Sequence, residues 1–360
     1  HPRDRRQRQM CIRDSISIDE CQDVDLLQIE FIKLLHKPSN NFIIAVGDRF
    51  QAIYLFRGAM SNGIDIIAEK FNCDRMPLTT NWRCGKKHIE LVRNIYPDIN
   101  LNPSPTALEG EIRIIKENHF LDIFDEADKN LSFFGISRKN APLLIFAIRL
   151  LTFRYPVRIK DRNLGTKLLE KVREIVNNDY DVNTFLSMVD NWFELQSLSL
   201  KKLPEKVQEQ KLIELQDYYE CLVVLFEKFK PKSLNSWKTE IDKIFDESTT
   251  TRKIIDLYTI HSGKGGEGHY TFILYPENMP IKFEKQSQEE KQQEQHMIYV
   301  ALTRCLARAK GGILWLVLEN RKEDKTHFPE WLPRNYRKLW KCDESEIDNS
   351  DEIDDSDVEF

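Results

Sequence analysis

Two adjacent carboxylates follow a short apolar run near the start of the sequence. Ile16 and Ile18 alternate with serines and predict a buried strand, and Asp19 and Glu20 stand directly at its carboxyl end. An aspartate in this position can hold Mg²⁺, and a neighbouring glutamate can orient and deprotonate an attacking water. The same pair would also suit the capped start of a helix, so the acids alone leave both interpretations open.

A second segment places polar and aromatic side chains after another apolar run. Residues 42–46 (FIIAV) predict a strand that Gly47 and Asp48 close, and an apolar helix is predicted between the two strands. Strand, helix and strand within about 30 residues indicate a parallel βαβ unit, whose strand ends meet at one edge of the sheet. The segment continues with an amide, two aromatic rings and a guanidinium: Gln51, Tyr54, Phe56 and Arg57.

Three later segments carry further groups that could bind an anion or a nucleic acid. They are residues 78–84 (LTTNWRC), 257–267 (LYTIHSGKGGE) and 295–304 (QHMIYVALTR). The Gly-Lys pair in the second of these is not a P-loop, because no glycine stands five positions before Gly263 and no Ser or Thr follows Lys264. A lone arginine is usually a surface ion-pair partner. Arg304 is a candidate site residue only because its segment follows the other segments in a fixed order.

The five segments resemble, in order, the motifs of UvrD-like superfamily-one DNA helicases. Residues 46–59 (VGDRFQAIYLFRGA) meet nearly every fixed position of the family's G-D-x-x-Q-x-I-Y-x-[FW]-R-G-A motif. Residues 257–267 resemble its T-x-H-x-x-K-G-x-E motif, and the other segments resemble its Walker B, N-Y-R-S and Y-V-A-x-T-R motifs. The series spans most of the chain.

The resemblance implies one site for ATP and Mg²⁺. By the match, Asp19 is the metal ligand and Glu20 the general base, while Trp82 stacks on the adenine and Glu267 contacts the nucleotide sugar. One amide and two guanidinium groups would sense or stabilise the γ-phosphate, namely those of Gln51, Arg83 and Arg304.

The resemblance also implies contacts with single-stranded DNA and with its junctions to duplex DNA. Phe56 would stack on a base, which suits a motor that must move along any sequence, because every base has a π-face. The implied DNA-binding residues are Tyr54, Phe56, Arg57, Thr259 and His261. The I-Y-x-F-R-G-A form of the motif resembles the branch of the family that moves 3′ to 5′.

Some positions depart from the family pattern. Cys84 replaces a serine, and Gly266 and Gly268 stand where Leu and Phe are usual, which predicts a loose loop. Arg138 and Asn140 resemble a further family landmark, although a plain βαβ unit explains them equally well. The family's G-x-x-G-x-G-K-[ST] motif does not occur in the sequence, so the phosphate cradle is expected upstream of it.

The hydrophobic pattern predicts an α/β fold, and the family resemblance implies that it contains two RecA-like domains. The first, incomplete domain is expected at 15–80, the second at 81–161 and 251–342, and a helical insertion at 162–250. Strands are predicted near 74–79, 111–116, 133–137, 156–160, 254–260, 270–275 and 313–317, and helices near 64–70 and 86–96.

The amino-acid composition limits the binding partners and the cellular compartment that can be expected. Seven scattered cysteines without a C-x-x-C pair favour a reducing intracellular environment, which is the cytoplasm if the source is a bacterium or a phage. No stretch approaches the ~18 apolar residues that a membrane span needs. The net charge is −5, but residues 343–360 hold ten acids and no base, so residues 1–342 carry +5. A mildly basic body is compatible with a nucleic-acid partner.

The two ends of the sequence differ from its body. The acidic tail, 343–360, is predicted to be disordered and could serve as a DNA mimic or a docking segment for a protein partner. Residues 1–14 carry five arginines without any periodicity and are interpreted as a ragged or non-native junction, with a DNA-binding arm as the alternative.

Together these patterns predict an ATP-dependent 3′–5′ DNA helicase, and they predict that the chain is inactive without its P-loop. Two alternatives stay open. One is a non-hydrolysing, helicase-derived DNA-binding or scaffold protein. The other is a helicase–nuclease subunit of the RecB or AddA type, which would need a nuclease domain after the last motif.

Overall fold

The computed structural model describes residues 15–37, 41–55, 58–60, 62–119, 127–128, 130–176, 180–245, 254–307, 312–319 and 327–339. The predictions for residues 1–14, for the acidic tail, and for Phe56 and Arg57 fall outside the described residues.

Ten strands and nine α-helices lie within these ranges. The strands are β1 (Ser15–Ile18), β2 (Phe42–Ala45), β3 (Thr80–Asn81), β4 (Asn102–Pro103), β5 (Glu111–Lys116), β6 (Phe133–Ser137), β7 (Val157–Ile159), β8 (Ile255–Thr259), β9 (Tyr270–Leu274) and β10 (Ile313–Leu318). The helices are α1 (Leu26–Leu35), α2 (Gly63–Lys70), α3 (Lys86–Ile95), α4 (Asn140–Thr152), α5 (Arg162–Ile175), α6 (Phe185–Leu200), α7 (Glu205–Phe229), α8 (Leu234–Phe245) and α9 (Gln288–Leu302).

Six strands form one parallel sheet in the order β5-β10-β9-β6-β8-β7. Helices cover both faces, as a parallel sheet requires. Each face of the sheet packs in its own hydrophobic core. In β10, Leu314 and Leu316 pack in one core, and Trp315 and Val317 pack in the other. The α/β prediction is therefore confirmed, and the sheet is consistent with a RecA-like domain.

Two smaller parallel pairs, β1 with β2 and β3 with β4, lie outside this sheet. The predicted strand at 74–79 is wrong, because β3 begins only at Thr80. Pro77 lacks the N–H group that a strand ladder needs, and Met76 and Leu78 are both 87% exposed, so this run has no core to face. The other predicted strands lie within one or two residues of observed ones.

Four helices, α5 to α8, connect β7 to β8 and confirm the helical pattern of this stretch. Their core includes Phe185 stacked on Phe226 at 4.4 Å, with Trp237 beside both rings. Helix α7 also packs along α4, which joins these helices to the sheet. None of the helices among the described residues is long and apolar enough to cross a membrane.

The β1–β2 pair and helices α1 and α2 enclose a small core around Cys21, Ile29 and Ile67. Most of the broad apolar face of α1 stays outside it. Leu27 and Leu34, for example, are 81% and 79% exposed. Side chains of this kind are usually covered in a finished domain, so this face lacks a packing partner within the described residues.

Candidate functional site

The two predicted catalytic carboxylates lie where β1 and β2 end side by side. Val46 N–H donates to Ile18 O at 2.8 Å, and Cys21 N–H donates to Val46 O at 2.9 Å. These bonds bring Asp19 and Glu20 to the same edge as Asp48. Glu20 adopts a left-handed backbone conformation with φ of 51°, which turns the chain sharply after the strand.

Asp19 fits the role of a Mg²⁺ ligand. Among the described residues, its carboxylate accepts a hydrogen bond only from Glu20 N–H, at 2.9 Å, and the side chain is exposed. Mg²⁺ is commonly held by one or two carboxylates together with water and substrate phosphates. The open position of Asp19 at the strand end matches that donor set.

Gln22 ties the two strand ends together. The side chain is buried, and its Nε2 donates to Glu20 Oε2 at 2.6 Å while its Oε1 accepts from Asp48 N–H at 3.0 Å. Gly47 permits this contact, because a Cβ there would lie 2.5 Å from Gln22 Oε1. The amide therefore holds the general-base candidate against the second strand.

Lys264 is a site residue that the sequence reasoning missed. Its Nζ pairs with Asp23, lies 3.1 Å from Glu20 Oε2 and donates to Gln51 O at 2.9 Å. The side chain is only 7% exposed. The lysine of the T-x-H-x-x-K-G-x-E motif was visible in the sequence, but nothing local indicated that it would reach the end of β1.

The electrostatics at Glu20 reflect this lysine. Partial burial alone would raise the pKa of Glu20, but the hydrogen bond and charge of Lys264 lower it, with smaller contributions from Gln22 and Arg304. The net pKa lies below the ordinary value. Glu20 is therefore a carboxylate at neutral pH, as a general base must be.

Gln51 is held by Asp48, which sequence reasoning did not include among the site residues. Gln51 Nε2 donates to Asp48 Oδ2 at 2.8 Å, and Tyr299 OH donates to the same oxygen at 2.9 Å. The other oxygen, Oδ1, accepts from Phe50 N–H at 3.0 Å and so caps the short 3-10 helix Arg49–Gln51. The amide of Gln51 is thus positioned by a carboxylate shared with helix α9.

The two predicted γ-phosphate arginines lie together. Arg83 Nε donates to Glu267 Oε2 at 2.6 Å, which joins a γ-phosphate candidate to the sugar-binding candidate. Arg304 is 1% exposed, and burial followed by the charge of Arg83 lowers the pKa of Arg304 to about 10.

Arg304 has hydrogen-bond partners, but among the described residues no carboxylate lies within ion-pair distance of it. Its guanidinium donates to uncharged oxygens, those of Val300 at 2.9 Å, Thr303 at 3.0 Å and Gly266 at 3.5 Å. Asp48 and Glu20 act on Arg304 only from beyond that distance, and Glu267 is bound to Arg83. A guanidinium without a direct carboxylate contact, beside a second guanidinium, is suited to binding an anion.

Trp82 and Cys84 flank Arg83 in opposite environments. Trp82 is 63% exposed and offers a free ring face, as an adenine-stacking residue would. Cys84 is buried, donates to Thr303 O at 3.6 Å, and has its pKa raised by burial to about 11. The serine-to-cysteine departure therefore places an unreactive thiol in the wall of the site.

The packing of Gly266 and Gly268 argues against the predicted loose loop. A Cβ on Gly266 would lie 2.5 Å from Phe134 Cε2, and one on Gly268 would lie 2.6 Å from Phe134 Cβ. Gly268 also accepts from Leu306 N–H at 2.8 Å and donates to Arg304 O at 3.1 Å. The missing side chains let this loop pack directly on β6 and on the Arg304 segment.

The predicted DNA contacts lie on a neighbouring surface. Tyr54 OH donates to His261 O at 2.8 Å, and Thr259 Oγ1 hydrogen-bonds to Ser262 Oγ at 2.9 Å. Thr259 and His261 line a polar cavity of about 980 Å³ beside the carboxyl ends of β6, β7 and β8. Three of the five DNA candidates are thereby brought to one region, and Phe56 and Arg57 lie outside the described residues.

The weaker landmark, Arg138 and Asn140, faces the same cavity. Arg138 forms two hydrogen bonds to Glu294 at 2.7 and 3.1 Å, and Asp217 accepts from the backbone N–H groups of Asn140 and Ala141. Both residues are thus engaged within the protein, and the choice between the family landmark and a plain βαβ unit stays open.

A family model for the UvrD/REP helicase N-terminal domain matches residues 6–72. A "Probable DNA helicase II homolog" of Mycoplasma pneumoniae is 23% identical over 80% of this chain and 52% of that protein. "ATP-dependent DNA helicase srs2" of Schizosaccharomyces pombe is 32% identical over 31% of this chain and 13% of its own length. "RecBCD enzyme subunit RecB" of Borreliella burgdorferi is 38% identical over 26% of this chain and 8% of its own length.

The sheet and the site segments form an α/β chain that is consistent with a RecA-like domain. The family match and the helicase relatives make this chain similar to UvrD-like superfamily-one helicases. The chain spans about half the length of the Mycoplasma pneumoniae relative and smaller fractions of the others.

Proposed function

We propose that this chain forms the main part of an ATP-dependent DNA helicase that moves 3′ to 5′ on single-stranded DNA and opens duplex DNA at its junctions. One observation carries the proposal. The buried guanidinium of Arg304 lies beside Arg83 and is in ion-pair contact with no carboxylate among the described residues, although it is close enough to Glu20 to lower the pKa of that carboxyl. A bound polyphosphate would supply the missing negative charge.

In this proposal the nucleotide site combines residues from the β1–β2 pair and from the six-stranded sheet. Asp19 would hold Mg²⁺, which offsets phosphate charge when bound, and Glu20 would take the proton of the attacking water. The γ-phosphate would be contacted by Gln51, Arg83 and Arg304. Trp82 would stack on the base, and Glu267 would exchange its contact with Arg83 for one with the sugar.

The ion pairs of Lys264 would differ between the empty and the occupied site. Without nucleotide it neutralises Glu20 and Asp23, and the positive charge of Mg²⁺ would compete for the same carboxylates. Release of Lys264 from Glu20 would then free the base in the same step that brings in the metal. Because the lysine belongs to the loop after β8, this exchange would connect the two sides of the site.

The DNA-binding surface would run along the polar cavity. Thr259 and His261 line it, and Tyr54 is linked to it through its bond to His261. Phe56 and Arg57 follow Tyr54 closely in sequence, so we include them as the stacking residue and a phosphate contact. A protein partner at the acidic tail and a location inside the cell, where the DNA is, complete the proposal.

The motor also needs a P-loop, which these 360 residues do not contain. We propose that it belongs to a longer polypeptide, in which further strands complete the first RecA-like domain at 15–80. The exposed side chains of α1, Leu27 and Leu34 among them, support this because additional strands and helices would cover them. We also propose a second RecA-like domain at 81–161 and 251–342 and a helical insertion at 162–250, the bounds predicted from the sequence.

The test is ATP hydrolysis by the full-length polypeptide that carries these residues, measured with and without single-stranded DNA. Arg83→Ala should lower turnover by about 10³- to 10⁵-fold, the contribution of an arginine finger, and leave DNA affinity unchanged. Arg113→Ala is the matched control, because Arg113 pairs with Glu111 and lies over Trp315, neither of which is among the proposed site residues. An Arg83→Ala enzyme that keeps most of its turnover would overturn the assignment.

A full-length polypeptide without a P-loop would overturn the motor proposal altogether. DNA binding with no hydrolysis would then favour the helicase-derived scaffold. Sequencing the transcript upstream of residue 1 decides whether a P-loop precedes these residues, independently of any variant.

A further inference from the structure

Tyr299 connects the two sides of the nucleotide site. It lies on α9 and is 4% exposed, and its hydroxyl donates to Asp48 Oδ2, the oxygen that also accepts from Gln51 Nε2. Asp48 follows β2, whereas Tyr299 precedes Arg304 by five residues. One carboxylate oxygen thus joins the proposed γ-phosphate sensor to the helix that leads into the proposed second arginine.

The surroundings hold the phenol in one orientation. The Tyr299 ring lies 5.3 Å from Phe50 and 5.9 Å from Tyr96, and His296 also contacts Phe50 at 5.8 Å. His296 Nδ1 hydrogen-bonds to Ala52 O at 3.1 Å, so a second bond fastens α9 to the same segment. A phenol packed on several sides loses little entropy when it donates to Asp48.

The phenol is also a permanent donor. Burial, followed by the charge of Asp48, raises the pKa of Tyr299 far above its ordinary range. Tyr299 therefore stays protonated at neutral pH and can donate to Asp48 Oδ2 whether or not the Gln51 amide does.

We propose that Tyr299 is a positioning residue that holds Asp48 so that Gln51 and Arg304 reach the γ-phosphate together. The inference rests on the proposed ATPase function. When the Gln51 amide turns from Asp48 to the phosphate, the bond from Tyr299 keeps Asp48, and with it the 48–51 segment, aligned with α9. Without that bond, Gln51 and Arg304 would each find the phosphate independently, and fewer bound nucleotides would have both in place.

The experiment measures DNA-stimulated ATP hydrolysis by the full-length polypeptide. Tyr299→Phe removes the hydroxyl and keeps the ring, and should lower kcat by about tenfold, the worth of a hydrogen bond to a charged group. KM should change by less than about twofold, because the alignment matters in the transition state. Tyr96→Phe is the matched control, since its hydroxyl donates to Gln295 O in the same aromatic cluster and does not touch Asp48.

A coupling measurement separates positioning from general structural support. In a Gln51→Ala background, Tyr299→Phe should cost less than about twofold further, because the two residues act through one carboxylate. A full tenfold loss in that background, or a Tyr299→Phe enzyme equal to Tyr96→Phe, overturns the proposal. If Tyr299→Phe does not fold, as judged by circular dichroism, Asp48→Asn must give a comparable loss of kcat, and normal turnover of that variant also overturns it.

Failure of the proposed function would look different. In that case the unmodified full-length polypeptide would not hydrolyse ATP, and no variant would need to be compared. Hydrolysis by the unmodified protein with Tyr299→Phe unchanged rejects the positioning role alone.

Discussion

Replacing Arg304 by methionine should leave the stability of the fold nearly unchanged while abolishing ATP turnover. Methionine fills a similar volume without a charge. The pKa of Arg304 falls from 12.5 to about 10 in the folded chain, which corresponds to a folding cost of about 3 kcal/mol for the charged form. This cost is fully present at any pH below about 10, so a measurement at neutral pH includes all of it.

The hydrogen bonds that Arg304 loses offset the removal of this charge cost. Its three acceptors are uncharged oxygens, and such bonds contribute about 1 kcal/mol each to stability. The free energy of unfolding should therefore change by less than about 1 kcal/mol, at the near-neutral end of the range seen when buried charges are replaced by apolar groups.

Arg138→Met is the matched control that should be destabilised. Arg138 forms two hydrogen bonds to Glu294, whose side chain is 6% exposed. Removing the arginine leaves a buried carboxylate without its counter-ion, which should cost about 3 kcal/mol or more. The two variants thus remove the same side chain from a site without an ion-pair partner and from a site that has one.

Urea denaturation of the 360-residue chain, followed by tryptophan fluorescence and circular dichroism, gives both values. The comparison is valid where the variants unfold with the same denaturant dependence as the parent protein. An Arg304→Met chain that loses as much stability as Arg138→Met would refute the reasoning, because Arg304 would then be a structural arginine and not a charge held ready for an anion. In the full-length polypeptide, the same variant should lose about 10³-fold or more in ATP turnover.

Three further outcomes follow from the site. Lys264→Met should raise the pKa of Glu20. In the parent protein, the lowered pKa of Glu20 stabilises the fold above the ordinary value of 4.5, and this stability is lost as the pH falls through the folded-state pKa. The urea midpoint of the variant should therefore fall less steeply than that of the parent between about pH 5 and 3. An equal pH slope would argue against the Lys264–Glu20 contact. Gly268→Ala should cost about 1–3 kcal/mol in urea denaturation, because its Cβ would lie 2.6 Å from Phe134 Cβ, and a neutral change would mean that the loop is loose after all. Trp82→Ala should change the free energy of unfolding by less than about 0.5 kcal/mol, since the side chain is 63% exposed. The same variant should weaken ATPγS binding to the full-length polypeptide by about tenfold, as measured by calorimetry. An unchanged affinity would show that Trp82 is not part of the site.

The contact between Lys264 and Glu20 shows why a motif can be recognised before its mechanism is understood. The motif places a lysine three residues after His261, and that spacing is a local property of the chain. Its destination depends on how the loop after β8 meets the end of β1, about 240 residues earlier. Sequence reasoning therefore assigned roles to Thr259, His261 and Glu267 by resemblance and gave none to the lysine.

The sequence by itself determined the α/β class, most strand positions, the helical stretch between β7 and β8, and the order of the motif segments. These features follow from hydrophobic periodicity and from spacing between near neighbours, which the linear chain carries in full. The one failed strand, 74–79, looked apolar enough locally. Whether a hydrophobic core covers residues 74–79 depends on the tertiary structure, and there Met76 and Leu78 are exposed.

Only the tertiary structure decided which side chains share one site. Arg83 and Glu267 are 184 positions apart, and Asp48 and Tyr299 are 251 apart. Such contacts depend on the strand order and on the docking of the 48–55 segment against α9, neither of which can be derived from any local pattern. The same holds for Gly266 and Gly268, which resemble flexible positions in the sequence and are close-packed in the fold because Phe134, on a strand more than 130 residues away, occupies the space where their side chains would be.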